Sequence, residues 1–289
     1  MNLLAIIGYP IGHSLSPAIY NAAFKAMALD ARFEAWSTPP DQLAAAIERL
    51  RSPEMLGLSV TIPHKEAVIL LLDEVEPKAR AIGAVNCIAK ADGRLVGHNT
   101  DRYGFLRSLR DAGCEPAGMR AVILGAGGAA HAVAYALIEA GAASIALAGR
   151  RPARVAATAA HLRPSVEGRR PIAIDEVGWQ DDAFAAACRG ADLIVNCTPI
   201  GMRHTAAEAE SPLTRDHVRP GVWVSDIVYT PLETALLRLA RDAGARVVGG
   251  LDMLIYQAVE CVRLWTGREA PFDIMKRAAL DALAEANRT

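Results

Sequence analysis

Short apolar runs alternate along this chain with stretches of helical period. Leu3-Leu4-Ala5-Ile6-Ile7 is apolar throughout and predicts a buried strand, followed by a loop over Gly8–His13. Ser14-Leu15-Ser16-Pro17 predicts a helix start, with Ser16 as N-cap and Pro17 at the first helical position. A second strand is predicted at Arg32–Ser37, and a helix opening at Thr38-Pro39-Pro40-Asp41 and running to about Arg51. Leu56–Thr61 reads as a third strand, and Pro63-His64-Lys65 as the opening of a third helix. Ala84–Ala89 and Arg94–Gly97 flank Asp92-Gly93, the pairing expected of a hairpin. Asn99-Thr100-Asp101 caps a helix that reaches about Ala112 and stops at Gly113.

Beyond it, Ala121–Leu124 is a short buried strand, and Val133, Leu137 and Ile138 recur at helical spacing up to Gly141. Further strands are predicted at Ser144–Ala148, near Pro171–Ile174, and at Asp192–Cys197, Val222–Val228 and Arg246–Val248. The stretch 204–220 is polar and mostly loop. Two helical stretches close the chain, Leu251–Leu264 and Pro271–Ala286. Strand and helix alternate, so the class is α/β. Two domains are expected. One is an N-terminal α/β substrate domain with a mostly parallel sheet, residues 1–103 and 250–289, to which the last helices return. The other is a Rossmann-like dinucleotide-binding domain at 104–249.

Composition narrows the partners. The 289 residues carry a net charge of −1, which suggests neither a nucleic-acid nor an anionic-membrane partner. Five scattered cysteines without a Cys-x-x-Cys fit a reducing cytoplasm better than disulfides or structural zinc. The seven histidines show no ligand spacing, so no metal is expected. The N-terminus lacks the basic start of a signal peptide. Residues 121–138 have no charge apart from His131, yet glycines interrupt them, and a strand plus a helix start explains them better than a membrane span.

The chemistry starts at Gly125-Ala126-Gly127-Gly128-Ala129-Ala130, between the strand and the helix just described. Gly125 suits the tight turn, Gly127 the approach of a pyrophosphate, and Ala130 the close packing of helix on strand. The helix N-terminus offers N–H donors to phosphate. The next strand ends in Gly149-Arg150-Arg151, with Arg154 one turn on and no acid for a ribose 2′-hydroxyl. Guanidinium groups suit the 2′-phosphate of NADP (NADPH) instead.

In the first domain Ser14, Ser16, Ser59, Thr61, Lys65, Asn86 and Asp101 fall where strands meet helices. Such groups suit a small polyhydroxylated ligand. Lys65 in a first helical turn would oppose the helix dipole, which suggests a purpose. A surface lysine and a plain Asp101 cap are the bland alternatives.

Several of these blocks resemble the signature motifs of the shikimate dehydrogenase family, in the family order and across nearly the whole chain. They are Gly8–Pro17, Ser59–Lys65, Gly83–Asn86, Asn99–Asp101, Gly125–Ala130, Asn196–Met202, Asp226–Pro231 and Met253–Ala258. The resemblance implies reversible NADP-dependent reduction of 3-dehydroshikimate to shikimate, on the chorismate route to aromatic amino acids. It implies Lys65 and Asp101 as the catalytic pair, with Ser14, Ser16, Ser59, Thr61, Asn86, Tyr229 and Gln257 around the substrate. Gly125, Ala126, Gly127, Gly128 and Ala129 would cradle the pyrophosphate, and Arg150 and Arg151 would meet the 2′-phosphate. Thr198, Met202, Ile227, Tyr229 and Gly250 would lie at the nicotinamide end, and domain closure would assemble the site. A soluble monomer or homodimer is expected. The family usually has Asn at Ser59, Thr at Cys87, Asn-Arg-Thr at Gly149-Arg150-Arg151 and Gly at Asp252. Ser59 and Cys87 keep a quinate or aminoshikimate-type paralogue open, with a non-catalytic NADP-binding protein as the remote alternative.

Overall fold

The computed structural model describes residues 1–166, 172–179 and 181–286. The chain forms two compact units, Met1–Gly104 with Ile255–Thr289, and Phe105–Leu254.

The first unit contains β1 (Asn2–Gly8), α1 (Ser16–Ala26), β2 (Ala31–Ser37), α2 (Leu43–Arg49), β3 (Met55–Val60), β4 (Glu74–Val75), α3 (Pro77–Ile82), β5 (Cys87–Ala91) and β6 (Arg94–His98). Its sheet runs β2-β1-β3-β5-β6-β4, parallel from β2 to β3 and antiparallel at β3–β5 and β5–β6. β1 shows no alternation because both faces of a parallel strand are covered, and Leu4 to Ile7 are buried. On one face Leu58, Val60 and Ile88 pack with Ile7, Leu43 and Ile47. On the other, a Cβ on Gly57 would sit 2.1 Å from the Trp265 indole nitrogen, so only glycine leaves room for that ring. The indole N–H donates to the Ile88 carbonyl at 2.9 Å. Asp92 and Gly93 both have positive φ, as a tight hairpin between β5 and β6 requires.

α4 (Asp101–Asp111) leads out of this unit and α9 (Gly250–Thr266) leads back; α10 (Phe272–Ala286) packs on α1. Between them lie β7 (Arg120–Leu124), α5 (Gly128–Glu139), β8 (Ser144–Ala148), α6 (Pro152–Leu162), β9 (Ala173–Val177), α7 (Asp182–Gly190), β10 (Leu193–Asn196), β11 (Trp223–Asp226), α8 (Ala235–Asp242) and β12 (Arg246–Val248). The second sheet is parallel throughout, in the order β12-β11-β10-β7-β8-β9. Numbered from β7 this is the doubly wound dinucleotide-binding order, and its direction reverses between β7 and β10. The strand predicted near Pro171–Ile174 is β9; Pro171 itself lies outside the described residues. No helix among the described residues is long and apolar enough to cross a membrane.

Three predicted starts differ. No α-helix opens at Pro63: His64 N–H bonds the Thr61 carbonyl in a turn, and a 3-10 helix follows at Ala67–Leu71. The Lys65 carbonyl, which an α-helix would offer to Ile69 N–H, accepts from Val85 N–H instead. Ser16 is not the cap of α1 but its first residue, and the Ser14 hydroxyl accepts from Ser16 N–H at 3.2 Å. The helix after Thr38 divides into a 3-10 turn, Pro40–Gln42, and then α2.

Candidate active site

Lys65 leaves its turn with the backbone pinned on both sides. His64 is buried, with its ring nitrogen 2.7 Å from the Thr38 carbonyl, and the Lys65 carbonyl accepts from Val85 N–H at 2.8 Å. This anchoring, rather than a helix start, sets its direction. Lys65 Nζ stands 2.5 Å from Asp101 Oδ2, with the two side chains 16% and 8% exposed. Asp101 is not acting as a cap: the Asn99 side chain takes Arg102 N–H at 3.2 Å, which releases the Asp101 carboxylate for Lys65.

Asn86 holds the other carboxylate oxygen, donating to Asp101 Oδ1 at 2.8 Å, and its own carbonyl oxygen accepts from Thr100 N–H at 2.7 Å. Gln257 Oε1 lies 3.3 Å from both Asn86 Nδ2 and Thr100 Oγ1. Lys65, Asp101, Asn86, Thr100 and Gln257 therefore form one hydrogen-bonded group, drawn from four parts of the chain. It offers an ammonium, a carboxylate, amides and a hydroxyl, a donor and acceptor set that matches a ring of hydroxyls and a ketone.

The remaining candidates of this unit are less joined. Ser14 and Ser16 are bonded to each other at the start of α1. The Thr61 methyl fills the space that a Cβ on Gly8 would need. Ser59 Oγ is 3.5 Å from the Tyr20 hydroxyl, so the shorter residue at 59 has a phenol beside it. Burial raises the Tyr20 hydroxyl and the Cys87 thiol well above their ordinary ranges, and both stay neutral.

In the second unit the glycine turn sits at the reversal point of the sheet. Gly125 has φ +116°, and a Cβ there would be 3.0 Å from the Cys197 carbonyl oxygen. A Cβ on Gly127 would meet nothing within 4 Å, so that backbone is open to a ligand. α5 starts at Gly128, with Ala129 in its first turn and no side chain capping it. Free N–H groups at a helix start with open space before them fit a pyrophosphate. Arg154 Nε and Thr158 Oγ1 both donate to the Ala126 carbonyl, at 3.0 and 3.4 Å, and brace the turn. Arg150 and Arg151 are exposed at the start of α6, with no acidic residue in its first turn.

Thr198 follows β10, Ile227 and Tyr229 follow β11, and Met202 is exposed beyond Thr198. Gly250 opens α9 within 2.3 Å, at the position of a Cβ, of the Ile227 carbonyl oxygen. Sequence reasoning gave no role to the polar residues that tie these segments. Asn196, Asp226 and Thr234 are all 0% exposed. Asp226 accepts from Asn196 Nδ2 at 3.0 Å, Val228 N–H at 3.1 Å and Thr234 Oγ1 at 2.7 Å. The available signal was two polar residues ending apolar strands.

Burial pushes the Asp226 carboxyl up to about 6, against the pull of those donors. An aspartate in the unfolded chain titrates near 3.8, so the folded state holds an extra proton between those values. The stabilisation from this group is complete below about pH 4 and lost as pH rises through about 6, some ~3 kcal/mol at 1.36 kcal/mol per pKa unit. Denaturant unfolding of the wild type and Asp226→Asn at steps across that range checks it: the substitution removes this downward slope, and parallel pH curves refute it.

Comparison with known proteins follows the same division. Residues 6–88 match the model of the shikimate dehydrogenase substrate binding domain, and residues 250–280 that of the shikimate 5′-dehydrogenase C-terminal domain. Residues 120–218 match the model described as NADP oxidoreductase coenzyme F420-dependent. The chain is 48% identical over 281 residues to the shikimate dehydrogenase (NADP(+)) of Moorella thermoacetica, covering 97% of this chain and 93% of that protein. The crystal structure of shikimate 5-dehydrogenase from Thermus thermophilus in complex with NADP(H) and shikimate is 37% identical. It superposes with a TM-score of 0.86, covering 98% of this chain and 100% of that one. Quinate dehydrogenase from Corynebacterium glutamicum, in complex with NAD, is 34% identical with a TM-score of 0.83, covering 97% and 99%.

Proposed function

The chain belongs to the shikimate dehydrogenase family, and from that premise we propose that it interconverts 3-dehydroshikimate and shikimate with NADP(H) in aromatic amino-acid biosynthesis. It is an NADP-dependent alcohol oxidoreductase. The observation that carries this reading is the Lys65–Asp101 contact at 2.5 Å, set among Asn86, Thr100 and Gln257.

Bound at the glycine turn, the dinucleotide supplies the hydride acceptor or donor. The proton is handled by the chain itself. Lys65 Nζ gives a proton to the ketone oxygen in reduction and takes one from the hydroxyl in oxidation. Its charge stabilises the alkoxide that develops between those states. Asp101 Oδ2 orients the ammonium, and the Asn86 amide at Oδ1 keeps the carboxylate from turning away. Asn86 and Gln257, with Ser14, Ser16, Ser59 and Thr61, hold the substrate's hydroxyls and carboxylate. Gly125 to Ala129 hold the pyrophosphate and Arg150 and Arg151 the 2′-phosphate, while Thr198, Met202, Ile227, Tyr229 and Gly250 hold the nicotinamide end. The five scattered cysteines, without a Cys-x-x-Cys, support a cytoplasmic enzyme, and a net charge of −1 supports a small-molecule partner over nucleic acid or membrane. A monomer or homodimer suffices for this chemistry.

Steady-state assays with shikimate and quinate, each with NADP and NAD, test the reading. Catalytic efficiency is expected to be highest for shikimate with NADP. Replacing Arg150 and Arg151 together by Ala raises KM for NADP by about 10-fold or more, since each charged hydrogen bond is worth about 1.5–3 kcal/mol, and leaves KM for NAD nearly unchanged. Greater efficiency with quinate, or equal use of NAD, overturns the substrate or the cofactor assignment respectively.

A further inference from the structure

Asn196 and Asp226 end neighbouring strands, β10 and β11, and neither points a free group at a ligand. Asp226 is a carboxylate at 0% exposure whose neighbours are all neutral donors. Burying it is costly, and a carboxylate is tolerated in such a place only where several donors converge. Here the donors come from three pieces of chain: a side chain at the end of β10, a backbone N–H after β11, and the hydroxyl that caps α8.

The carboxylate also decides which way the Asn196 amide faces. A carboxylate only accepts, so Asn196 must present its NH₂ to Asp226 and its oxygen to the opposite side. That oxygen accepts from Thr198 N–H at 3.0 Å and Thr198 Oγ1 at 2.7 Å. Thr198 Oγ1 then accepts from Ile200 N–H at 3.2 Å, and Asn196 Nδ2 also reaches the Ile200 carbonyl at 3.2 Å. Met202 N–H closes on the Pro199 carbonyl at 3.1 Å. The fold of residues 198–202 thus hangs on the orientation of one amide, whose NH₂ is held by the buried acid together with the Ile200 carbonyl. On the other side Asp226 holds Val228 N–H, fixing the segment with Ile227.

We propose that Asp226 is a positioning residue for the nicotinamide half of the dinucleotide, acting through Asn196 to lock residues 198–202 against residues 226–228. The inference rests on the reading that this unit binds NADP at the glycine turn. The hydrogen bonds of the Asp226 carboxylate go to Asn196, Val228 and Thr234 and not to the glycine turn or the arginines that hold the adenosine half, so the two halves of the ligand should respond differently. An asparagine at 226 would offer one acceptor oxygen and turn an NH₂ toward donors. It leaves the Ile200 carbonyl as the one firm acceptor for the Asn196 NH₂, which loosens the hold on that amide and, through it, on Thr198.

The test is direct binding by calorimetry to Asp226→Asn, with NADP and with 2′,5′-ADP, which carries the adenosine half alone. NADP affinity is expected to fall about 10-fold or more, as for loss of hydrogen bonds to a charged group, while 2′,5′-ADP binds as to the wild type. KM for shikimate stays near the wild-type value while turnover falls. If Asp226→Asn does not fold, Thr234→Val removes the donor to Oδ2 at nearly constant volume and is read in the same way, and Thr234→Ser, which keeps that hydroxyl, is expected to bind like the wild type. Unchanged NADP affinity overturns the proposal. Equal loss for NADP and 2′,5′-ADP also overturns it, because a merely structural role would loosen both halves. A wild type that binds neither ligand would refute the cofactor reading itself, an outcome distinct from either.

Discussion

Lys65→Met, which keeps the apolar stem and removes the ammonium, is expected to cut turnover of shikimate by about 10²–10⁴-fold, the usual contribution of a positioned acid. KM for shikimate should move only a few-fold, because the lost interaction is made chiefly in the transition state. Lys65 and Asp101 are both largely buried, so removing one leaves the other without its counter-charge. Stability will fall as well, and kinetics must be measured well below each melting point. Asp101→Ala is expected to be severe too. The double substitution should cost far less than the product of the single losses, since the two groups act as one unit. A lysine that merely decorated the surface would give near-normal turnover in the folded variant, and that result would take Lys65 out of the mechanism.

The largest loss of stability is expected at Gly250. A Cβ there would lie 2.3 Å from the Ile227 carbonyl oxygen, 2.5 Å from its carbon and 2.8 Å from the Val228 carbonyl oxygen. All three are backbone atoms, so no side chain can rotate aside. Overpacking a well-filled site costs about 1–3 kcal/mol where side chains can adjust, and Gly250→Ala should exceed that. In thermal melts this corresponds to a fall of roughly 10 °C for a protein of this size. Gly190→Ala is the control: it is helical and meets nothing within 4 Å, so it should melt at or above the wild type. A Gly250→Ala variant that melts with the wild type would show that the start of α9 can move away at little cost.

Local pattern made much of this fold readable. Apolar runs marked β1, β3, β7 and β8, and Asp92-Gly93 marked the hairpin, because each signal lies within a few neighbouring residues. The glycine turn could be read for the same reason, since strand, turn and helix start are contiguous. The turn at 61–66 reads locally as a helix start, because Pro63 looks like a first helical residue, but the His64 tie to Thr38 and the Lys65 tie to Val85, both distant in sequence, decide otherwise. Lys65 and Asp101 are 36 residues apart, and their meeting depended on the pinned turn and on Asn99 relieving Asp101 of capping. Only resemblance to a family could pair them beforehand. The Asn196–Asp226–Thr234 lock was invisible because its parts are ordinary strand-end and cap residues until the sheet register sets them side by side.

The first unit is built from two separate stretches of chain, and this gives the protein a timetable. Asn86 meets Gln257 across 171 residues, and Gln257 follows every strand of both sheets. During synthesis from the N-terminus, the residues of the entire second sheet are made before the amide that completes the Lys65–Asp101–Asn86 group. The second unit is one unbroken stretch and can gather its strands as they emerge, whereas in the first the sheet at Gly57 waits for α9 and helix α1 waits for α10. Trp265, which fills the gap over Gly57, arrives among the last to seal it. A ribosome-bound chain halted at the end of β12 therefore carries the whole glycine turn, both arginines and the Lys65–Asp101 pair, but not Gln257, the last member of the polar group around that pair.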